Sequence, residues 1–354
     1  MKEVHQHTAE ILQRLEQESL LKPVKSWLDD TLVSASPRAQ FFHHAGFLHL
    51  PNFVDTSTCQ EMKQFMEEIV NNEWDTQQMD SFGTSAKENT ARGDYFLESA
   101  ARVHFFAEPS ALDDKKHLKE EFYENKIAAL NKVGHGLHLR KGPFSEYAFS
   151  AAIRELMSEL GWKDPLLPQS MYIFKQAVVG GAVNSHQDST FLFTEPRQSC
   201  CGLWLALDEA TTENGCLWVR PKSHQEAVRR QYERNPARES NPSAPQFVMK
   251  ELYQHSISWD GDLPGTGNFV DLMEAGFIAV PCQPGDLLVF NGELDHLSLP
   301  NKSTAARHTF QLHLIEGKYT TWSPSNWLQY ENPSRPFPRL NNGLDQLRDY
   351  EVES

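Results

Sequence analysis

The sequence predicts a mainly β fold with flanking helices, an antiparallel sandwich or jelly roll, for this 354-residue chain. Three observations carry that prediction. From Asp94 onward, short apolar runs (171–174, 202–207, 215–219, 285–290 and 309–314) alternate with turn signals, without helices read between them. Helical spacing is largely confined to the stretches before those runs. The hydrophobic fraction, 39%, suffices for a sizeable core, and the aromatic fraction, 11%, suits a deep, ring-lined pocket.

Taken in order, residues 1–34 carry Ile11, Leu12, Leu15, Leu20 and Leu21 at helical spacing among charges, an N-terminal helical extension. A helix end then meets Gly46 as its cap, and a strand over 47–50 closes at Pro51-Asn52. Asp55 or Thr56 caps a helix running to about Asn72, with Cys59, Met62, Phe65, Met66 and Ile69 on one face. One more amphipathic helix, over 151–160, precedes the strands. Residues 228–267 break the strand rhythm with Pro, Asn, Ser and Gly and read as a long insertion. The organisation expected is a 1–34 extension and a single domain over 35–345, with its β core at about 168–320.

Composition narrows the partners. A formal net charge of −15 argues against nucleic-acid backbones and anionic membranes and leaves a small-molecule substrate. No stretch approaches the length of a membrane span, so no membrane insertion is expected. The 5 cysteines form no metal-type spacing, which points to a reducing compartment. The N-terminal residues do not read as a signal peptide, and Tyr350–Ser354 matches no peroxisomal tripeptide. The location expected is cytoplasmic.

The chemistry lies in His186-Gln187-Asp188. Residues two apart on an extended backbone project to one face, so an imidazole and a carboxylate can reach one metal ion. Alone the pair is a weak signal, and its ordinary reading is a surface His and Asp beside a turn. A second segment strengthens it. Pro284-Gly285-Asp286 turns into an apolar strand ending at Asn291-Gly292, followed by Asp295-His296 and Ser298. Arg307 comes eleven residues after His296. Two nitrogens and one carboxylate with three open positions make the facial triad of non-haem Fe(II) oxygenases. A co-substrate takes two positions and O₂ the third. Arginine suits the far carboxylate of 2-oxoglutarate because its planar fork binds a carboxylate at two points.

Other residues compete. His224, His308 and His313 are rivals to His296 as third ligand, with His296 preferred. His135 and His138 read as hydrogen-bonded packing ahead of pocket lining. Trp218 reads as core. Cys200-Cys201 reads as buried and inert. Arg229-Arg230 reads as a solvated pair, with a coenzyme A phosphate site as the sharper alternative.

Longer segments carry a resemblance. Gln169-Ser170-Met171-Tyr172-Ile173-Phe174-Lys175-Gln176, the run from His186 to Pro196, Glu213-Asn214-Gly215-Cys216-Leu217-Trp218, the run from Leu130 to His138 and that from Thr320 to Leu328 resemble the phytanoyl-CoA dioxygenase family. The likeness runs from about Phe41 to Leu340, with the insertion poorly covered. It implies a double-stranded β-helix (a cupin-like jelly roll) with N-terminal helices packed on one sheet. It implies Fe(II) on His186, Asp188 and His296, and 2-oxoglutarate decarboxylated to succinate and CO₂ as a substrate is hydroxylated. O₂ is the oxidant and ascorbate a candidate reductant. Co-substrate contacts carried over are Met171, Gln187, Trp204, Ser298 and Arg307. Where the family has a lysine before the Asn-Lys-Val-Gly-His motif this chain has Ala128, which makes Lys126 the substitute candidate. The substrate class implied is a small molecule such as an acyl-CoA or lipid. A zinc hydrolase is disfavoured because it would leave Arg307 without a task, and a halogenase because Asp188 is present. A catalytically silent metal- and 2-oxoglutarate-binding module is the alternative.

Overall fold

In the computed structural model, residues 2–21, 24–26, 32–33, 36–77, 79–82, 93–177, 179–252, 269–330 and 336–350 are described. Two β sheets face one another. The larger has eight strands in the order Phe47–Leu50, Leu287–Asn291, Cys201–Ala206, Thr309–Glu316, Pro165–Ile173, Leu130–His135, Val103–Ala107 and Asp80–Ser81. The smaller has four, in the order Ile278–Val280, Leu217–Val219, His296–Ser298 and Val183–His186. All of these pairings are antiparallel except that of the short 80–81 strand. The predicted fold class stands: two facing sheets of mainly antiparallel strands, with helices on their flanks.

Period-two alternation separates the two faces of the larger sheet. Leu203, Leu205, Val289, Phe310, Leu312 and Tyr172 point outward into one apolar cluster with the helices Thr56–Glu73, Pro143–Ala148 and Ala151–Glu159. The helix over 56–73 contributes Cys59, Met62, Met66, Ile69 and Val70, the face that the 3.6-residue period picks out. Each such side chain buried contributes roughly 1.5–3 kcal/mol. Trp204, Ala206, Leu288 and Phe290 point inward and pack with the smaller sheet through Leu217, Val219, Ile278 and Val280.

Two expectations change in detail. The N-terminal helix Lys2–Leu21 does not lie on the sheet that carries the other helices. It packs on the Pro37–Ala45 helix and on the 278–280 strand of the smaller sheet. Within the predicted insertion, Arg230–Arg234 pairs with Phe247–Glu251 as a hairpin, while 253–268 lies outside the described residues. Proline, asparagine and serine crowd the hairpin's turn, not its arms, which is why the whole segment reads as a loop.

Candidate active site

The inward face of the larger sheet forms the floor of the site, and its registers fix who neighbours whom. One rung runs Gly134, Met171, Gln311, Trp204, Leu288. The next runs Gln169, His313, Gly202, Phe290. Gly202 leaves the space that the Phe290 ring fills: a Cβ there would come within 2.4 Å of it.

The smaller sheet supplies the opposing wall. Its 183–186 and 296–298 strands pair with His186 directly across from His296, and the two ring centroids are 4.2 Å apart. Each ring is fixed from behind. His186 Nδ1 donates to Asn184 O at 2.8 Å, and His296 Nδ1 donates to Leu294 O at 3.0 Å. Both therefore present a bare Nε2 to the same space. Asp188 opens the 188–190 turn, which is tied to the larger sheet by Ser189 N donating to Gly292 O. Its Oδ1 lies 3.3 Å from His186 Nε2 and 3.6 Å from His296 Nε2.

His313 does not join this trio as a ligand; it serves Asp188 from behind. Gln169 Nε2 donates to His313 Nδ1 at 3.2 Å, so His313 Nε2 carries the proton that reaches Asp188 Oδ2 at 3.0 Å. Burial alone would raise the Asp188 carboxyl, but the imidazoles of His296, His313 and His186 hold it well below the usual carboxylate range. Burial, with His186 alongside, lowers His296 to about 4 and keeps it neutral. Two imidazole nitrogens and an ionised carboxylate converging within 4.8 Å are a set that could hold a divalent cation.

Two residues along the strand from His296, on the same face and about 6.6 Å away by strand rise, stands buried Ser298. Arg307 is 2% exposed, and burial lowers its guanidinium only to about 10. It is therefore a cation at neutral pH. Its Nη1 donates to Thr309 Oγ1 at 3.2 Å, its Nε has no partner among the described residues, and its Cζ lies 5.2 Å from the Trp204 ring centre. The Trp204 indole N–H is likewise buried without a partner. Sequence reasoning missed Lys175, whose Nζ donates to Ser298 Oγ at 2.9 Å. Its signal was a lysine at the end of the apolar 171–174 run.

Not every sequence candidate comes to this place. Met171 does, on the inward face, with its sulfur 3.9 Å from Lys132 Nζ. Gln187 faces away, as the residue between two inward-facing neighbours must: its amide donates to Glu293 O and accepts from Arg229 N. Lys126 is engaged elsewhere, with Nζ on Asn71 O and Trp74 O at the end of the 56–73 helix. His308 pairs with the Tyr172 hydroxyl, and His224 donates to His43 O. His138 is buried packing, bonded to Ser170 and Leu167 O. Trp218 stacks on Phe269 in the core. Arg229 corrects its sequence reading as a solvated residue. It is 2% exposed and grips the fully buried Asp295, which Arg220 also holds. Only Arg230 is partly exposed, paired with Glu251.

The phytanoyl-CoA dioxygenase family model matches residues 42–309. The chain belongs to that family. With it, the chain is an oxidoreductase of the dioxygenase class. It is 33% identical to "Phytanoyl-CoA dioxygenase" of Arabidopsis thaliana, over 84% of this chain and 94% of that one. It is 36% identical to "Phytanoyl-CoA dioxygenase domain-containing protein 1" of Mus musculus, over 84% of this chain and 96% of that one. Among solved structures, the epimerase SnoN bound to Fe³⁺ and α-ketoglutarate matches with a TM-score of 0.54 at 12% identity, covering 86% of this chain and 97% of that one. EctD from S. alaskensis matches with a TM-score of 0.52 at 14% identity, covering 90% and 91%. These two likenesses are of fold, and they make the paired sheets a jelly-roll core. Among the described residues, no helix is long and apolar enough to cross a membrane.

Proposed function

We propose that the chain is a Fe(II)- and 2-oxoglutarate-dependent dioxygenase that hydroxylates a small molecule with an apolar portion. The observation that carries this reading is the pairing of a His–Asp–His trio with a buried arginine that has no carboxylate partner among the described residues. A buried cation without an anion is costly, so the pocket is built to receive one.

His186, Asp188 and His296 would hold the ferrous iron, whose contribution when bound is the activation of O₂. Family membership and the donor set both fit that group. Arg307, with the Ser298 hydroxyl, binds the far carboxylate of 2-oxoglutarate and fixes its orientation. Trp204 and Met171 on the floor exclude water from the chain of carbons between. His313 keeps Asp188 ionised and aimed. The outcome is one oxygen atom in the substrate, one in succinate, and CO₂. Phe191 stands 6.0 Å from His186 ring to ring and forms an aromatic wall there, backed by the buried Tyr232 and Phe247 of the hairpin. That wall favours an apolar substrate portion, as the family name implies. Arg229 is consumed by Asp295 and offers nothing to a coenzyme A phosphate.

Succinate release from 2-oxoglutarate by the iron-loaded protein tests the reading. Asp188→Ala should abolish it with the fold retained. Arg307→Ala should raise the apparent KM for 2-oxoglutarate by roughly 30-fold or more, because losing one such buried pair costs about 2–5 kcal/mol. Arg307→Lys should recover only part. Full turnover by folded Asp188→Ala, or an unchanged KM in Arg307→Ala, decides against it. A silent binding module would bind 2-oxoglutarate and release no succinate with any substrate offered.

A further inference from the structure

Lys175 is a further basic residue beside this pocket, and the reading above gives it no role; burial, then the Arg307 charge, holds its ammonium well below the usual lysine range. It lies two residues beyond the 165–173 strand, is 3% exposed, and has no carboxylate within ion-pair distance among the described residues. Its main chain is pinned: the carbonyl accepts from Arg307 N at 3.1 Å and from Asn301 Nδ2 at 2.9 Å. Its side chain has a channel made for it. Gly215 has φ +89, and a Cβ there would stand 2.2 Å from Lys175 Cε. At the end of that channel Nζ donates to Gly181 O at 2.8 Å and to Ser298 Oγ at 2.9 Å.

Hydrogen-bond accounting at Ser298 gives the consequence. A serine hydroxyl has one proton to donate and two lone pairs to accept with. Lys175 occupies a lone pair, so the Ser298 proton must point away from Lys175. Among the described residues no acceptor takes it. The unclaimed O–H and the Arg307 guanidinium, which has no carboxylate partner among the described residues, both neighbour Lys175, and an anion between them would satisfy both.

We infer that Lys175 is a positioning residue for the co-substrate, holding the Ser298 hydroxyl so that its proton is aimed at the anion beside Arg307. The inference rests on the co-substrate assignment above. The ligand chemistry favoured is a dicarboxylate with a fully ionised far end, over a 2-oxo acid whose far end is neutral.

Calorimetric binding of 2-oxoglutarate to Mn(II)-loaded protein tests this without turnover. Lys175→Met should weaken binding by roughly tenfold, about 1.4 kcal/mol for a lost hydrogen bond. Ser298→Ala should do likewise, and the double variant should be little worse than the weaker single, since one bond is removed twice. Lys175→Gln keeps a donor for Ser298 and should recover part of the loss. It is also the fallback if Lys175→Met does not fold, as melting curves and Mn(II) affinity would show. In turnover, KM for 2-oxoglutarate should rise while kcat holds. Additive losses, or unchanged binding in Lys175→Met, overturn the inference. Arg307→Ala, measured alongside, separates the failures: if it too leaves binding unchanged, the co-substrate assignment falls, and if it alone weakens binding, only the Lys175 role falls.

Discussion

His313 shows how one side chain sets the chemistry of another. Its proton is directed at Asp188 Oδ2 because Gln169 already donates to its other nitrogen. Removing such an outer partner of a metal-binding carboxylate typically costs 10–100-fold in metal affinity. His313→Leu, of similar volume, should therefore weaken Fe(II) or Mn(II) binding by roughly that factor while the metal-free protein keeps its fold. Titration of the metal measures it, and wild-type affinity in the variant would remove His313 from the centre. The sequence showed His186, Asp188 and His296 because strand alternation is local. It could not sort His313 from a rival ligand, because only the register between the 165–173 and 309–316 strands puts Gln169 behind it. Lys175 was hidden for the same reason: its partner Ser298 lies 123 residues along the chain.

Among the elements, the strands were legible and their linkage was not. Apolar runs at 202–207, 285–290 and 309–314 mark the strands at 201–206, 287–291 and 309–316 to within a residue or two. The hairpin over 230–251 was not seen, nor was its coupling to the site. Residue 229 leads into the hairpin and is held from two sides. Gln187, between two members of the trio, accepts its N–H at 3.0 Å, and Asp295, beside the third, accepts its guanidinium. Two consecutive arginines look solvated until a buried aspartate 66 residues away is brought to one of them. Arg229→Met should cost about 2–3 kcal/mol, the worth of hydrogen bonds to a charged group, since Arg220 still holds Asp295. Hydrogen exchange should rise across 230–251 more than across the 56–73 helix. Equal protection in both segments would mean that the hairpin does not depend on Arg229.

At the scale of the whole molecule, buried titratable groups pull stability in opposite directions with pH. His138 and His224 are lowered to about 3 and about 4, each by burial first. Below the unfolded value near 6.5 the unfolded chain binds protons that these rings refuse, so their contribution is lost as pH falls. Glu108 does the reverse. Burial raises it to about 7, against the pull of Asn131 and Lys175, and it is 2% exposed. Between its ordinary value of 4.5 and about 7 the folded protein holds a proton that the unfolded chain has lost, so stability falls as pH rises through this window. The penalty is absent below the window and complete above it. Each tenfold difference in proton affinity between folded and unfolded chain is worth about 1.4 kcal/mol, which makes the full penalty roughly 3 kcal/mol. Glu108→Gln removes it. Relative to wild type, the variant should gain stability from pH 4.5 to 7 and level off beyond, on top of any constant offset from altered bonding to Asn131. Urea unfolding of both metal-free proteins at about pH 4, 5.5, 7 and 8.5 gives the difference directly, and the histidines cancel because both proteins share them. A difference that stays flat over that range would mean that Glu108 titrates in the fold as it does in the unfolded chain, with Asn131 and Lys175 offsetting burial.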